Sequence, residues 1–85
     1  MKADIAGTYR HTKSGKLYQV IDVALHTETG EKMVVYRALY DHAELASEYG
    51  MRPCFVRPYD MFFEDVTIDG TTRPRFEKID DNAVN

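Results

Sequence analysis

The sequence has little cysteine, no long apolar run and no excess of charge of one sign, and each lack excludes a class of protein. One cysteine, Cys54, among 85 residues excludes an internal disulfide and any metal site built from several cysteines. No stretch approaches the roughly 20 apolar residues of a membrane span. The opening letters MKADIAGTYRH lack the apolar segment of a secretion signal. We therefore expect a cytoplasmic protein without a membrane segment.

The charge balance of the chain is slightly acidic and mixed. It has 11 lysine and arginine residues against 14 aspartate and glutamate residues, for a formal net charge of −3. A protein that binds duplex nucleic acid normally carries a basic face, so this balance argues against that class. Hydrophobic residues make up 44% and charged residues 29% of the chain, which indicates a folded globular domain rather than a disordered one.

The length of the chain allows one domain. We expect residues 7–79 to form it. The first residues, 1–6, predict a loosely ordered terminus, and the last, 80–85, predict a frayed tail because the letters DDNAVN have little to bury.

A predicted β-hairpin over residues 17–40 organises the domain. Two apolar-rich runs, LYQVIDVALH and EKMVVYRALY, flank the turn letters TETG. Valine, isoleucine and tyrosine favour strands, and the odd positions of the first run are the more aliphatic ones. We expect this odd face to point toward the core: Leu17, Gln19, Ile21, Val23 and Leu25.

Two turns can close this hairpin, and they differ by one residue of register. A three-residue loop with Gly30 in the left-handed region puts Leu25 near Met33 on the core face. A four-residue loop shifts the register by one and sets Arg37 on the same face as Asp22. We favour the three-residue loop, which leaves one face with polar-tipped side chains: Tyr18, Asp22, His26, Tyr36 and Tyr40.

The rest of the chain predicts short elements around the hairpin. Residues 41–50 have the pattern of a one- to two-turn helix, with Asp41 as its cap and Gly50 just past its end. Asp69-Gly70 is a strong signal for a second hairpin, with its strands at 63–68 and 71–79. The remaining segments are a strand at 7–11, a proline-bracketed strand at 52–58 and a core-plugging turn at 58–62. About five short strands with one helical insert predict a mainly β fold, a small SH3-like antiparallel barrel or roll.

Several short strings occur along the chain as an ordered set: GTYRH at 7–11, GKLY at 15–18, ALHTET at 24–29, VVYRALY at 34–40, VRPYDMF at 56–62, DG at 69–70 and PRF at 74–76. Together they resemble the bacterial domain of unknown function family 1653. This resemblance implies a compact SH3-like β-barrel and no assigned activity. The chain departs from the family pattern in a longer insert at 41–50 and in Phe55, where the pattern leads us to expect tryptophan.

The polar residues inside these strings are the candidate binding residues: Arg10, His11, Tyr18, His26, Glu28, Tyr36 and Arg57. Arginine has a planar fork that suits carboxylate or phosphate. If the strand around Arg10 lies beside the hairpin, these side chains converge on an anion-binding pocket. We give more weight to the structural alternative, in which the arginines pair with neighbouring carboxylates and His26 ends a strand. A clamp role for Arg57 predicts that Arg57→Ala leaves the melting temperature nearly unchanged.

Three functions fit this pattern. The first is a non-enzymatic binding module, without cofactor, for a small anion or a partner's peptide. The second is a small enzyme in which His26 or His11 acts as a base with Glu28 as its orienter. The third is single-stranded nucleic-acid binding through arginines interleaved with aromatics, which the acidic balance disfavours. Those arginines are Arg10, Arg52, Arg57, Arg73 and Arg75.

Two other chemistries have weaker support. A zinc site would need His11, His26 and His42, and no two of them have a ligand-like spacing. Cys54 lies in a predicted strand, where a lone cysteine is expected to be a small core residue rather than a nucleophile.

Overall fold

A computed structural model describes residues 5–80 of the chain. Of the predicted loose ends, 1–6 and 80–85, residues 1–4 and 81–85 lie outside the described residues. No helix within residues 5–80 has the length and apolar character needed to cross a bilayer. The elements in chain order are β1 Gly7–His11, β2 Leu17–Leu25, β3 Lys32–Ala38, a 3₁₀ turn Ala43–Leu45, α1 Ala46–Tyr49, β4 Cys54–Pro58, α2 Tyr59–Phe62, β5 Asp65–Ile68, β6 Thr71–Pro74 and β7 Phe76–Asp80.

The strands form two antiparallel sheets, which confirms the mainly β fold. Five strands make one sheet in the order β4-β3-β2-β1-β7, and β5 pairs with β6 in a second. The large sheet is not closed into a barrel, so β4 and β7 are its edges. It curls enough for the edges to meet through side chains, because the Arg57 guanidinium carbon on β4 lies 5.4 Å from the centre of the Phe76 ring on β7. The sheet is therefore open at its backbone edges, and the expected closed barrel is not formed.

The turn of the main hairpin has four residues, 27–30. The His26 N–H donates to the Glu31 carbonyl at 2.8 Å, and the Gly30 N–H donates back to the His26 carbonyl at 2.7 Å. Gly30 has a φ of +78°, which confirms its left-handed conformation. The favoured three-residue loop is wrong, since Ala24 and not Leu25 is opposite Met33. These two backbone bonds stabilise the longer turn.

Up to Ile21, the first hairpin strand turns its even positions to the core and not the aliphatic odd positions that the pattern predicts. Val20 is 1% exposed, whereas Leu17 and Ile21 are 36% and 43% exposed. The core face also carries Tyr18, whose ring packs edge-on against Tyr36 at 5.4 Å between centroids. Aromatic rings bury more area than leucine or isoleucine. The aromatic face is therefore the one that folding buries, and the aliphatic face is left toward solvent.

A β-bulge interrupts β2 near its middle. The pairing with β3 shifts between Val20 and Asp22, so Ile21 has no partner in the register. Beyond the bulge Val23, an odd position, pairs with the fully buried Val34, whereas Leu25 at the strand end is 66% exposed. A period of two holds only along an unbroken strand. Neither the odd nor the even positions therefore face the core along the whole of β2.

The core is largely aromatic and is plugged by α2. Phe62 of α2 is fully buried and stacks on Phe76 with the ring centroids 4.1 Å apart and the planes 4° from parallel. This position confirms that the turn after Pro58 plugs the core. The buried cluster consists of Tyr9, Val20, Val34, Tyr36, Phe62 and Phe76.

The insert at 41–50 forms the predicted short helix, but Asp41 does not cap it. His42 takes the N-cap position, with no side-chain hydrogen bond. The Asp41 carboxylate instead accepts from Arg52 Nε at 3.1 Å, so the ion pair replaces the cap. Gly50 has a φ of +87° and donates its N–H to the Ala46 carbonyl, which confirms its role at the helix end.

The second hairpin follows the Asp-Gly signal. Asp69 and Gly70 have φ values of +52° and +80°, the pair of positive angles that a type I′ turn requires. The single long strand predicted after this turn is two strands, because the chain bends at Arg75 and β7 leaves to pair with β1. Two backbone bonds of 2.9 Å hold this bend, from Thr12 N–H to the Arg75 carbonyl and from Arg75 N–H to the Glu64 carbonyl.

Candidate functional site

Some of the candidate residues meet inside the curled sheet, around the ring of Phe76. The Tyr36 and Tyr18 rings lie 5.5 and 5.8 Å from it. The His11 ring lies 4.9 Å away, and the Arg57 guanidinium carbon 5.4 Å away. Phe76 itself is 3% exposed, so it is the buried hub that these side chains share.

The tyrosine hydroxyls of this cluster are engaged within the protein. The Tyr18 and Tyr40 hydroxyls form a hydrogen bond of 2.7 Å, and Arg57 Nε donates to the Tyr36 hydroxyl at 3.2 Å. Burial, together with the hydrogen bond to Tyr40, raises the pKa of Tyr18 far above its ordinary value. Tyr18 therefore stays neutral, and the tyrosine hydroxyls form hydrogen bonds that stabilise the core.

The other candidates lie apart from this cluster. Arg10 is exposed on β1, and His26 and Glu28 are exposed at the tip of the main hairpin. His26 Nδ1 accepts the backbone N–H of Glu28 at 3.2 Å. This is a turn contact in which the Glu28 carboxylate takes no part. The geometry of a carboxylate that orients a catalytic imidazole is therefore not formed here.

A cavity of about 190 Å³ opens beside His11, between the turn after β1 and the β5–β6 hairpin. Its basic lining residues are His11, Lys13 and Arg75. Strand β5 contributes the remaining wall through Val66, Thr67 and Ile68. Within the described chain, no aspartate or glutamate is among the lining residues. The cavity therefore combines one basic side with one largely apolar side.

The positive charges around this cavity act on one another. Burial lowers the pKa of His11, and the charges of Arg57, Arg75 and Lys13 lower it further. His11 Nδ1 accepts the Ser14 N–H at 3.3 Å and lies 2.8 Å from the Ser14 hydroxyl oxygen, so this nitrogen is engaged within the turn. The imidazole thus lies next to fixed cations. This combination suits an anion.

Arg75 is only partly satisfied by its protein partner. Its Nη2 donates to Glu64 Oε1 at 2.9 Å. Its Nε is buried and has no hydrogen-bond partner. An unsatisfied buried donor costs about 1–3 kcal/mol. One carboxylate therefore leaves part of the donor capacity of this guanidinium unused.

Comparison with known proteins identifies the family. The family model described as "Protein of unknown function (DUF1653)" matches residues 7–78. The chain belongs to the DUF1653 family. The chain is similar to a DUF1653 protein from Bordetella bronchiseptica whose crystal structure is known, with 33% sequence identity and a TM-score of 0.75. The match covers 89% of this chain and 87% of the Bordetella chain. No curated protein matches the chain. Membership confirms the resemblance of the ordered strings and leaves the activity open.

Two residues of the DUF1653 cavity, Lys13 and Arg75, are absent from the predicted site. Each had a local signal: Lys13 lies two residues after His11, and Arg75 lies in the family-like string PRF. They come together because β7 pairs with β1, with His11 opposite Phe76. No local pattern in the sequence shows this long-range pairing.

The arginines proposed for a nucleic-acid surface do not share one face of the DUF1653 domain. Arg10 is exposed on β1, whereas Arg57 contacts the core ring of Phe76. The other arginines form ion pairs with carboxylates, as the structural alternative predicts. These pairs are Arg52–Asp41, Arg73–Glu77 and Arg75–Glu64.

Cys54 is exposed on the edge strand β4, so the expectation of a core cysteine is wrong. The alternation of β4 explains its position, since its neighbour Phe55 packs against the core in its place. Among residues 5–80, no group of three or more histidine, cysteine, aspartate or glutamate side chains is arranged to hold a metal ion.

Proposed function

We propose that this DUF1653 protein is a binding module for a small anionic ligand, held in the cavity between the turn after β1 and the β5–β6 hairpin. One observation carries the proposal: among the described residues, His11, Lys13 and Arg75 line the cavity and no carboxylate does. A space of about 190 Å³ favours a small molecule over a peptide. The cytoplasmic location expected from the sequence stays a prediction.

The mutual effect of the cations explains why an anion would be stabilised there. Burial disfavours the protonated form of His11 and lowers its pKa, and the positive charges close to it lower the pKa further. An anion among Lys13, Arg75 and His11 would reverse this repulsion and accept charge-assisted hydrogen bonds. Such bonds are about twice as strong as neutral ones. The charges that repel one another in the free protein would therefore stabilise a bound anion.

Backbone hydrogen bonds hold the walls of the cavity in place. Thr12 N–H donates to the Arg75 carbonyl, and Arg75 N–H donates to the Glu64 carbonyl, both at 2.9 Å. These bonds connect the turn after β1 to the end of β6 and the start of β5. A site that is already formed loses less conformational entropy when a ligand binds. This preorganisation supports a binding role.

The test is an anion titration of the ¹⁵N-labelled protein by NMR, with acetate and inorganic phosphate at constant pH and constant ionic strength. We expect saturable shifts in His11 and in the strand residues Val66 and Ile68. Lys13→Gln should weaken binding about tenfold, which corresponds to roughly 1.4 kcal/mol. The matched control is Lys16→Gln, because Lys16 lies in the same turn and its Nζ sits 4.7 Å from the Tyr40 ring centre.

Two results would reject the proposal. The first is that neither anion causes a saturable shift at the cavity residues. The second is that Lys13→Gln and Lys16→Gln weaken binding equally, because that would show a general effect of net charge rather than a site.

A further inference from the structure

We infer that the ligand of this cavity is a short aliphatic monocarboxylate of about four carbons, an inference that rests on the proposed anion-binding function. It follows from three properties of the cavity: the chemistry of its two sides, its size and the absence of negative charge among its described lining residues.

The two sides of the cavity suit the two ends of such a molecule. Lys13 and Arg75 supply the charges for a carboxylate head. Val66 and Ile68 are half-buried and point to the same side of β5, since residues two apart on a strand share a face. A bare inorganic anion would contact the cations and leave these aliphatic side chains uncovered. An aliphatic tail would cover them.

The size of the cavity limits the tail. At the ~30 Å³ that each water molecule occupies in the liquid, a volume of about 190 Å³ has space for about six non-hydrogen atoms. A four-carbon monocarboxylate has that number. The volume is also below the roughly 300–1,000 Å³ of pockets for drug-sized molecules. Acetate would fill the space incompletely, and a nucleotide or a peptide would exceed it.

Because no carboxylate is among the described lining residues, we do not expect an amino acid to be the ligand. An α-amino acid would bring an ammonium group close to Lys13 and Arg75. In the described part of the chain, no acidic side chain lines the cavity to receive that group, and the Glu64 carboxylate is already paired with Arg75 Nη2 at 2.9 Å. Like charges at such distances repel, and a low-dielectric wall strengthens the repulsion. The cavity should therefore prefer butyrate to 2-aminobutyrate.

The experiment compares the dissociation constants of butyrate, acetate, butyramide, 2-aminobutyrate and inorganic phosphate for the full chain, by NMR at fixed pH and ionic strength. Each buried methylene improves binding about fourfold, so butyrate, which has two more methylenes, should bind roughly fifteenfold tighter than acetate. Butyramide and 2-aminobutyrate should bind at least about tenfold more weakly than butyrate, since one lacks the negative charge and the other adds a positive one.

A pair of variants tests the apolar wall. Val66→Thr keeps the shape of the side chain and adds a hydroxyl, so it should reduce the preference for butyrate over acetate to about threefold without weakening acetate. Val56→Thr makes the same change at a 60% exposed position on β4, outside the cavity, and should leave the preference unchanged.

The outcomes separate this inference from the proposed function. If acetate or phosphate binds as tightly as butyrate, the monocarboxylate inference is overturned and anion binding stands. The same holds if 2-aminobutyrate matches butyrate. If no anion in the series binds, both are overturned.

Discussion

Replacing Arg57 with alanine should destabilise the protein by about 2–4 kcal/mol. Arg57 Nε donates to the hydroxyl of Tyr36, which is 5% exposed, and the guanidinium lies over the buried ring of Phe76. A hydrogen bond from a charged donor contributes about 1.5–3 kcal/mol. A partly desolvated cation–π contact contributes roughly 0.5–2 kcal/mol. The alanine variant loses both and leaves the Tyr36 hydroxyl buried without its donor.

Urea unfolding followed by circular dichroism measures this loss. The midpoint should fall while the denaturant slope stays the same, since the amount of surface exposed on unfolding is unchanged. For a domain of this size, each kcal/mol lowers the melting temperature by roughly 4–8 °C. The matched control is Arg10→Ala, because Arg10 is exposed on β1 and its loss should change stability by less than about 0.5 kcal/mol.

A double-mutant cycle with Tyr36→Phe isolates the hydrogen bond. We expect a coupling energy between Arg57 and Tyr36 of about 1.5–3 kcal/mol, the range for a hydrogen bond from a charged donor. If Arg57→Ala melts like the wild type, the structural role is refuted. The clamp role, which predicts a nearly unchanged melting temperature, would then be favoured.

Two further predictions concern His11 and Gly30. The pKa of His11 is lowered from its ordinary value of 6.5 in the folded state, so below that pH the unfolded chain binds its proton first and stability falls as pH decreases. In His11→Gln, the free energy of unfolding measured with urea should therefore fall less steeply with decreasing pH below about pH 6.5. A decrease as steep as that of the wild type would contradict this. Gly30 has a φ of +78°, and a Cβ at this position would meet no atom within 4 Å, so Gly30→Val should cost about 1–2 kcal/mol through backbone strain alone. Gly30→Asn should cost less, and equal melting of Gly30→Val and the wild type would show that the turn does not need a left-handed residue.

Much of the fold follows from local signals in the sequence. Gly30, Gly50 and the pair Asp69-Gly70 mark turns whose positive φ values are observed. Such signals work because a left-handed backbone restricts the choice of residue at a single position. They locate where the chain reverses, and the short elements between them follow.

The faces of β2 and its register could not be predicted from local signals. Alternation along β2 changes parity at Ile21, where the bulge lies, and no residue pattern marks a bulge of this kind. The choice of buried face depended on Tyr18 packing against Tyr36 and Phe76, which are distant in the chain. Buried aromatic contacts outweighed the aliphatic pattern.

Only part of the candidate site could be predicted from local signals, because the rest depends on contacts between residues that are distant in the chain. His11, Tyr18, Tyr36 and Arg57 do come together, but the tyrosines and Arg57 serve the core. The cavity itself depends on the pairing of β1 with β7, which places Arg75 near His11. Pairing between distant strands is decided by the whole sheet, so no local pattern in the sequence shows that Arg75 lies beside His11.

The most direct test of the proposed site is the pKa of His11, measured by NMR in the presence and absence of saturating acetate at matched ionic strength. Burial lowers this pKa in the free protein, and so do the charged groups of Arg57, Arg75 and Lys13. An anion bound among them offsets their charge, so the pKa should rise, and acetate should bind more tightly to the protonated form. A titration curve that acetate leaves unchanged would contradict anion binding in this cavity.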